Sequence, residues 1–290
     1  MYVSTIAKGI VRTLVPGLTW SARRAAAQRL AEMPRKLKKS VRSGALNAVS
    51  RLKGAPDGHP LPPGQLMFLV QGTTNVQEFL TDGRGTAEGV LDLLRSSGVA
   101  VDSSKSVLDF GCGCGRVIRH VHGMTGARCY GTDYNPQLIE WCKRKLRFAQ
   151  FNVNGVAPPL PYENAQFDVI YALSVFTHFG EDLQSAWLSE LSRVLKPGGH
   201  LLMTTHGESF LPRLTEEEKR TFRSGRLVVR EAAVGSNPFF AAHPPEYVKT
   251  HLPPDLAVVN FAPETRPRAT PPSRLCWQDG YVLTKRNRTT

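Results

Sequence analysis

The sequence predicts an α/β protein: a parallel sheet covered by helices on both faces. Three features carry that prediction. Short apolar runs alternate with amphipathic helical stretches from Ser106 to Thr205, a pattern that places parallel strands between covering helices. The stretch Ser106–Arg116 reads SVLDFGCGCGR, an apolar strand closed by an acid, then a turn with alternating glycines, then the start of a helical pattern. Lys196-Pro-Gly-Gly stops a helix and feeds a further strand.

Taken in order, residues 1–53 form a basic helical extension. Val3, Ile6, Ile10 and Leu14 recur at helical steps until Pro16-Gly17, and Ser21 can cap a second, Ala- and Arg-rich helix that Pro34 restarts before Arg35, Lys36, Lys38 and Lys39. Residues 54–65 are a Pro/Gly linker, GAPDGHPLPPG with its flanking residues. Residues 66–285 form the main domain and 286–290 a tail. Within the domain Val76–Leu94 has helical spacing. Val107 and Leu108 begin the first strand; Ala127–Thr132 is the second, Phe151–Val153 the third, Phe167–Leu173 the fourth and His200–Thr205 the fifth. A helix opens at Arg116, another spans Asn135–Phe148, and a third runs Leu183–Leu195 with Trp187, Leu188, Leu191 and Val194 on its buried stripe. An insertion at about 207–254 follows. It holds a capping box at Thr215–Glu218, a strand at Leu227–Val234 and a short helix from Pro244. Leu256–Phe261 and Tyr281–Thr284 are the last strands, joined by a proline-rich loop over Pro263–Pro272.

Charge is unevenly placed. The net charge is +13, yet residues 1–53 hold 12 of the 37 Lys and Arg against one acid, Glu32. The main domain is therefore nearly neutral, which argues against nucleic acid as its ligand. The extension reads three ways: helices with a solvated basic face, a segment for an anionic membrane surface or other anionic partner, or an organellar targeting segment. Five cysteines with no Cys-x-x-Cys or zinc spacing favour free thiols in a reducing, cytoplasmic compartment and predict no metal site. No apolar run is long enough to span a membrane, so membrane contact, if made, would be peripheral. Oligomeric state is not legible.

The glycine turn argues for a ligand lying against the main chain, because glycine admits positive φ and leaves no Cβ in the way. A dinucleotide fingerprint fails in both registers, since Arg116 and Ile118 stand where the third glycine belongs. A phosphate-binding P-loop lacks its Gly-Lys-Ser/Thr ending. With Asp109 two residues before Gly111, the stretch resembles the first motif of class I S-adenosylmethionine-dependent methyltransferases. The run Pro158–Phe179, the stretch Leu195-Lys-Pro-Gly-Gly-His-Leu and the terminal Gln278-Asp-Gly-Tyr-Val-Leu resemble bacterial small-molecule methyltransferases of that class. The resemblance implies a Rossmann-like seven-stranded mixed sheet of order 3-2-1-4-5-7-6 and S-adenosyl-L-methionine as cofactor.

The candidate cofactor residues lie at successive strand ends: Asp109, Gly111, Gly113, Gly115, Asp133, Asn154, Leu173 and Ser174. Asp133 ends the second strand, 18 positions after Gly115, near the spacing of about 20 at which a carboxylate meets ribose hydroxyls. Asn154 stands where the family presents a side chain to adenine. Asp109 would order the turn or bind the methionine ammonium through water. His178, His206 and His243 are candidate bases for an alcohol acceptor. The leading expectation is methyl transfer to a small molecule or sugar at oxygen, by in-line displacement, with the insertion covering the acceptor pocket. Phe239, Phe240 and Tyr247 are its candidate walls. The alternatives are an RNA or protein methyltransferase that uses the basic extension, and a non-catalytic cofactor-binding scaffold.

Overall fold

The computed structural model describes residues 54–231, 239–264 and 277–287, with Ala22, Asn47, Leu52 and Leu275 besides. The expected helices of the extension, Cys276, most of the Pro263–Pro272 loop and the last residues of the tail lie outside the described residues. The chain divides into two compact units, residues 1–80 and 81–290.

In the first unit helix α1, Gly64–Gln71, ends at Gly72, whose φ of 70° closes it in the left-handed region. The Asn47 amide donates to the Thr74 carbonyl at 2.8 Å, and its oxygen accepts from Val76 N–H at 2.9 Å. Both polar groups of one side chain thus fix the backbone that leads into α2, Val76–Ser96.

The second unit is built on strands β1 (Ser106–Phe110), β2 (Arg128–Asp133), β3 (Ala149–Val153), β4 (Phe167–Ala172), β5 (Leu195–Thr205), β8 (Leu256–Ala262) and β9 (Asp279–Lys285). Their order is β3-β2-β1-β4-β5-β9-β8. Neighbours from β3 to β5 pair in parallel, and β9 runs antiparallel to both β5 and β8. This is the expected Rossmann-like order, with the two insertion strands β6 (Val228–Arg230) and β7 (Phe240–Ala242) counted in the numbering. β1 is buried along its whole length, as a central parallel strand must be. The helices between the strands are α3 (Ile118–Thr125), α4 (Pro136–Lys145) and α5 (Glu181–Val194); α6 (Glu216–Arg223) and α7 (Pro245–Thr250) belong to the insertion.

Local chemistry explains the element ends. The Asn135 side chain accepts from Gln137 N–H, and Pro136 takes the first helical position of α4. Thr215 and Glu218 form the expected capping box, and Arg230 clamps Glu218 with two contacts of 2.6 Å, tying α6 to β6. The stripe Trp187, Leu188, Leu191 and Val194 of α5 is buried against Leu108, Ile170 and Leu201 of the sheet in one core.

Several boundaries correct the sequence reading. α3 starts at Ile118 rather than Arg116, because the turn uses Arg116 and Val117 before the helix begins. α4 stops at Lys145, where Leu146 turns extended, so β3 starts at Ala149 rather than Phe151. β5 begins at Leu195 rather than His200: Leu195 pairs with Phe167, and the Lys196–Gly199 segment is a register shift within the strand. The inserted strand is short, and its partner β7 had no sequence signal.

Candidate active site

The carboxyl ends of β1 and β2 are sewn together by the glycine turn. Gly111 and Cys112 N–H both donate to the Thr132 carbonyl, at 2.8 and 3.0 Å. Gly111, Gly113 and Gly115 have φ of 85°, 56° and 77°, which L side chains adopt only at a cost. A Cβ on Gly111 would also lie 2.5 Å from a Val175 methyl. Cys112 and Cys114 fill the space beneath, both buried. From α2, Arg116 receives support in two ways: its Nη1 reaches the Thr86 hydroxyl at 3.3 Å, and its carbonyl lies where any side chain at Gly83 would begin.

Asp133 is the centre of the cradle. One carboxylate oxygen accepts from Gly113 N–H at 3.0 Å, and the other from Asn135 N–H at 2.9 Å. Burial raises its pKa from the usual carboxylate value, and these two N–H groups oppose that rise. A carboxylate has about four lone-pair sites. Two are engaged here, which leaves one on each oxygen for a pair of vicinal hydroxyls. Asn154 lies beside it: its N–H donates to the Asp133 carbonyl at 3.2 Å, and its side-chain oxygen lies 2.7 Å from the Thr132 hydroxyl. The turn, Asp133 and Asn154 therefore line the carboxyl ends of β1, β2 and β3, on the side of the sheet at which open α/β sheets bind ligands. The remaining acceptor sites of Asp133 suit a pair of vicinal hydroxyls, whereas the Asn154 amide already accepts from Thr132 and donates to the Gly155 carbonyl at 2.7 Å.

Asp109, expected to order the turn or to bind a methionine ammonium through water, is held from the neighbouring strand. Its carboxyl accepts from the Tyr171 hydroxyl at 3.0 Å, across the β1–β4 register. Burial pushes its pKa up to about 7, against the lowering effect of Tyr171 and Arg116.

The end of β4 is strained. Ser174 sits at φ 60°, and its N–H donates to the Thr204 hydroxyl at 2.8 Å. Gln278 joins three groups here: its oxygen accepts from Thr204, and its amide N–H groups reach the Ser174 hydroxyl at 2.5 Å and His206 Nε2 at 3.2 Å. Sequence reading missed Gln278 and Tyr171 because their partners are distant in the chain. Leu173 precedes this knot and is half-buried.

The three histidines gather around β7. His178 Nδ1 lies 3.1 Å from the Phe239 carbonyl, and His206 Nδ1 lies 3.1 Å from that of Ala241. His243 N–H donates to the His206 carbonyl at 2.8 Å. Positions 239, 241 and 243 share one side of an extended strand, so a single edge fixes all three. A carbonyl only accepts, so each of the first two rings carries its proton on Nδ1. In His206 the other nitrogen then accepts from Gln278, the ring stacks on Phe210 at 3.8 Å, and burial pulls its pKa down to about 3. His243 is turned away, its Nε2 on the Gln184 side-chain oxygen at 3.1 Å.

Residues 108–203 match the model of the methyltransferase domain family. The chain carries a class I S-adenosylmethionine-dependent methyltransferase domain. Among curated relatives, sterol 24-C-methyltransferase of Schizosaccharomyces pombe is 34% identical over 106 residues, covering 35% of this chain and 28% of that protein. A phthiotriol/phenolphthiotriol dimycocerosates methyltransferase of Mycobacterium ulcerans is 35% identical over 107 residues, covering 35% and 38%. The matches thus span well under half the length of these two methyltransferases. A solved methyltransferase from Clostridium acetobutylicum is similar over 70% of this chain and 92% of its own, at 12% identity and a TM-score of 0.49. The matched domain holds both sewn strand ends, Asp109, the glycine turn, Asp133 and Asn154.

Proposed function

We propose that the protein transfers the methyl group of S-adenosyl-L-methionine to an oxygen of a small molecule, a sugar among them, with His178 as base. One observation carries the choice of His178: it follows β4 on a short 3-10 turn, Phe176–His178, with Nδ1 held by the Phe239 carbonyl. That bond directs the acceptor lone pair to Nε2. The cofactor would supply a methyl on a sulfonium, a good neutral leaving group. Asp133 would hold the ribose hydroxyls, Asn154 the adenine edge, and the Gly111–Gly115 backbone would let the ligand approach. The end of β4, with Leu173 and Ser174, would border the methyl. Nε2 of His178 would take the proton that the acceptor hydroxyl gives up on methylation, while the cofactor would leave as a neutral thioether. The protein's main contribution is alignment and exclusion of water, to which the base adds about 10²–10⁴-fold. The part of the insertion from residue 207 to β7 would cover the acceptor.

Names of relatives support a small acceptor; O-methyltransferases for tocopherol and fatty acid are among them, beside the sterol 24-C-methyltransferase and a norajmaline N-methyltransferase. The test is label transfer from methyl-tritiated cofactor across a panel of alcohols, phenols, carboxylates and sugars. His178→Ala is expected to keep cofactor affinity and lose about 10²-fold or more in turnover. Full turnover by that variant would remove the base from the proposal.

The basic extension is proposed to hold an anionic surface, such as an acidic membrane leaflet. Each Lys or Arg near such a leaflet contributes about 1 kcal/mol. Binding to anionic but not neutral vesicles, lost without residues 1–53, is expected; equal binding with and without them would contradict it.

A further inference from the structure

A cleft of about 370 Å³ opens between α5 and α7, at the small end of the ~300–1,000 Å³ range of small-molecule pockets. Its lining is mixed: Leu188, Met203, Val248 and Leu252 supply apolar wall, Gln184, Ser185 and His251 add polar groups, and the exposed Glu181 and Ser189 stand at its edge. None of the residues placed in the cofactor cradle lines it, and neither His178 nor His206 does; His243 and Tyr247, read from the sequence as acceptor-site candidates, line this cleft instead.

His243 lines the cleft and is 1% exposed. The Gln184 amide that meets it donates its own N–H to the Phe179 carbonyl at 2.9 Å, so its oxygen is the acceptor and His243 Nε2 carries the proton. Nδ1 is therefore a bare lone pair, and this buried atom has no hydrogen-bond partner. Buried acceptors without donors are rare and costly, and one beside such a cleft indicates a donor that arrives with a ligand.

The surroundings choose the donor. The ring is neutral, since burial holds its pKa down to about 3. An ammonium driven against it would be a buried charge with no counter-charge at that depth. An anion would have to pass the Glu181 carboxylate, whose side chain is 59% exposed and 3.5 Å from His251 Nε2 at the rim. We propose that the cleft is a second small-molecule site, separate from the methyl-transfer site, and that it takes an uncharged, mostly apolar alcohol whose hydroxyl donates to His243 Nδ1.

The test uses full-length protein labelled with ¹⁵N-histidine and ¹³C-methyl methionine, titrated with benzyl alcohol and its isomer anisole, which has the same atoms but no O–H. Benzylamine and benzoate are the cationic and anionic probes. Saturable shifts of the Met203 methyl and of His243 Nδ1 with benzyl alcohol are expected. Anisole should bind about tenfold more weakly, the size of one hydrogen bond to a buried group, and the charged probes more weakly still. Ser189→Trp, on the exposed edge, should abolish the shifts while cofactor affinity stays within twofold of the parent. No saturable shift with the alcohol, equal affinity for anisole, or binding that survives Ser189→Trp in a variant with the parent's melting temperature would each overturn the proposal.

Discussion

Asp133 sets the loop and, in the proposed reading, the ligand site as well. Its two oxygens hold the Gly113 and Asn135 N–H groups, and each would offer a remaining lone pair to a ribose hydroxyl. Hydrogen bonds to charged groups contribute about 1.5–3 kcal/mol each, so Asp133→Ala is expected to weaken cofactor binding by about 10²-fold or more. Asp109 gives a pH test. In the unfolded chain it releases its proton near the usual carboxylate value, but in the folded chain burial holds the proton to about pH 7. Between those limits the folded state binds more protons, so stability contributed at this site falls as pH rises from about 4 to about 7. Melting temperatures of the parent and Asp109→Asn, measured across that window, should diverge in favour of Asn as pH rises; a constant difference would mean that Asp109 titrates normally. The strand, Asp109 and the glycine turn could be placed because they are neighbours in sequence, and Asp133 because it closes the next strand 18 positions after Gly115. Tyr171 and Gln278 could not be, because they meet the site only through pairing at separations of 62 and 104 residues.

At the scale of elements, the glycine turn is held to one shape by backbone conformation and by close contact. Gly111→Ala combines an unfavourable φ of 85° with a methyl set 2.5 Å from Val175. A loss of about 1–3 kcal/mol in stability is expected from strain of this kind, together with weaker cofactor binding, both readable from denaturant melts and titration. An unchanged melt would mean that the turn relaxes freely. Gln278 ties the ends of β4 and β5 to the ring of His206. Gln278→Ala is expected to slow turnover more than it weakens cofactor binding, since the knot lies on the β4–β5 side of the site. Capping boxes and helical stripes, as at Thr215–Glu218 and Trp187–Val194, are local and were readable. β7 was not: it has three residues and follows a segment with no clear period. Yet this strand and Phe239 just before it orient His206 and His178.

Across the whole molecule, the alternation of strands and helices predicts the parallel part of the sheet, and the resemblance supplies its closing antiparallel pair. The order β3-β2-β1-β4-β5-β9-β8 places the reversal between β1 and β4, beneath the glycine turn. Trp187 is fully buried under that sheet, stacked near Phe179 and bonded through its ring N–H to the Val156 carbonyl at 3.0 Å. Trp187→Ala should cost about 3–5 kcal/mol, seen as a lower denaturant midpoint. The central claim, that the turn and Asp133 form a cofactor cradle, is tested most directly by calorimetric titration of S-adenosylmethionine and S-adenosylhomocysteine into the parent and Asp133→Ala. Saturable binding of both by the parent, with about 10²-fold loss in the variant, is the expected result. A folded parent that binds neither, or a variant that binds as well as the parent, would contradict it.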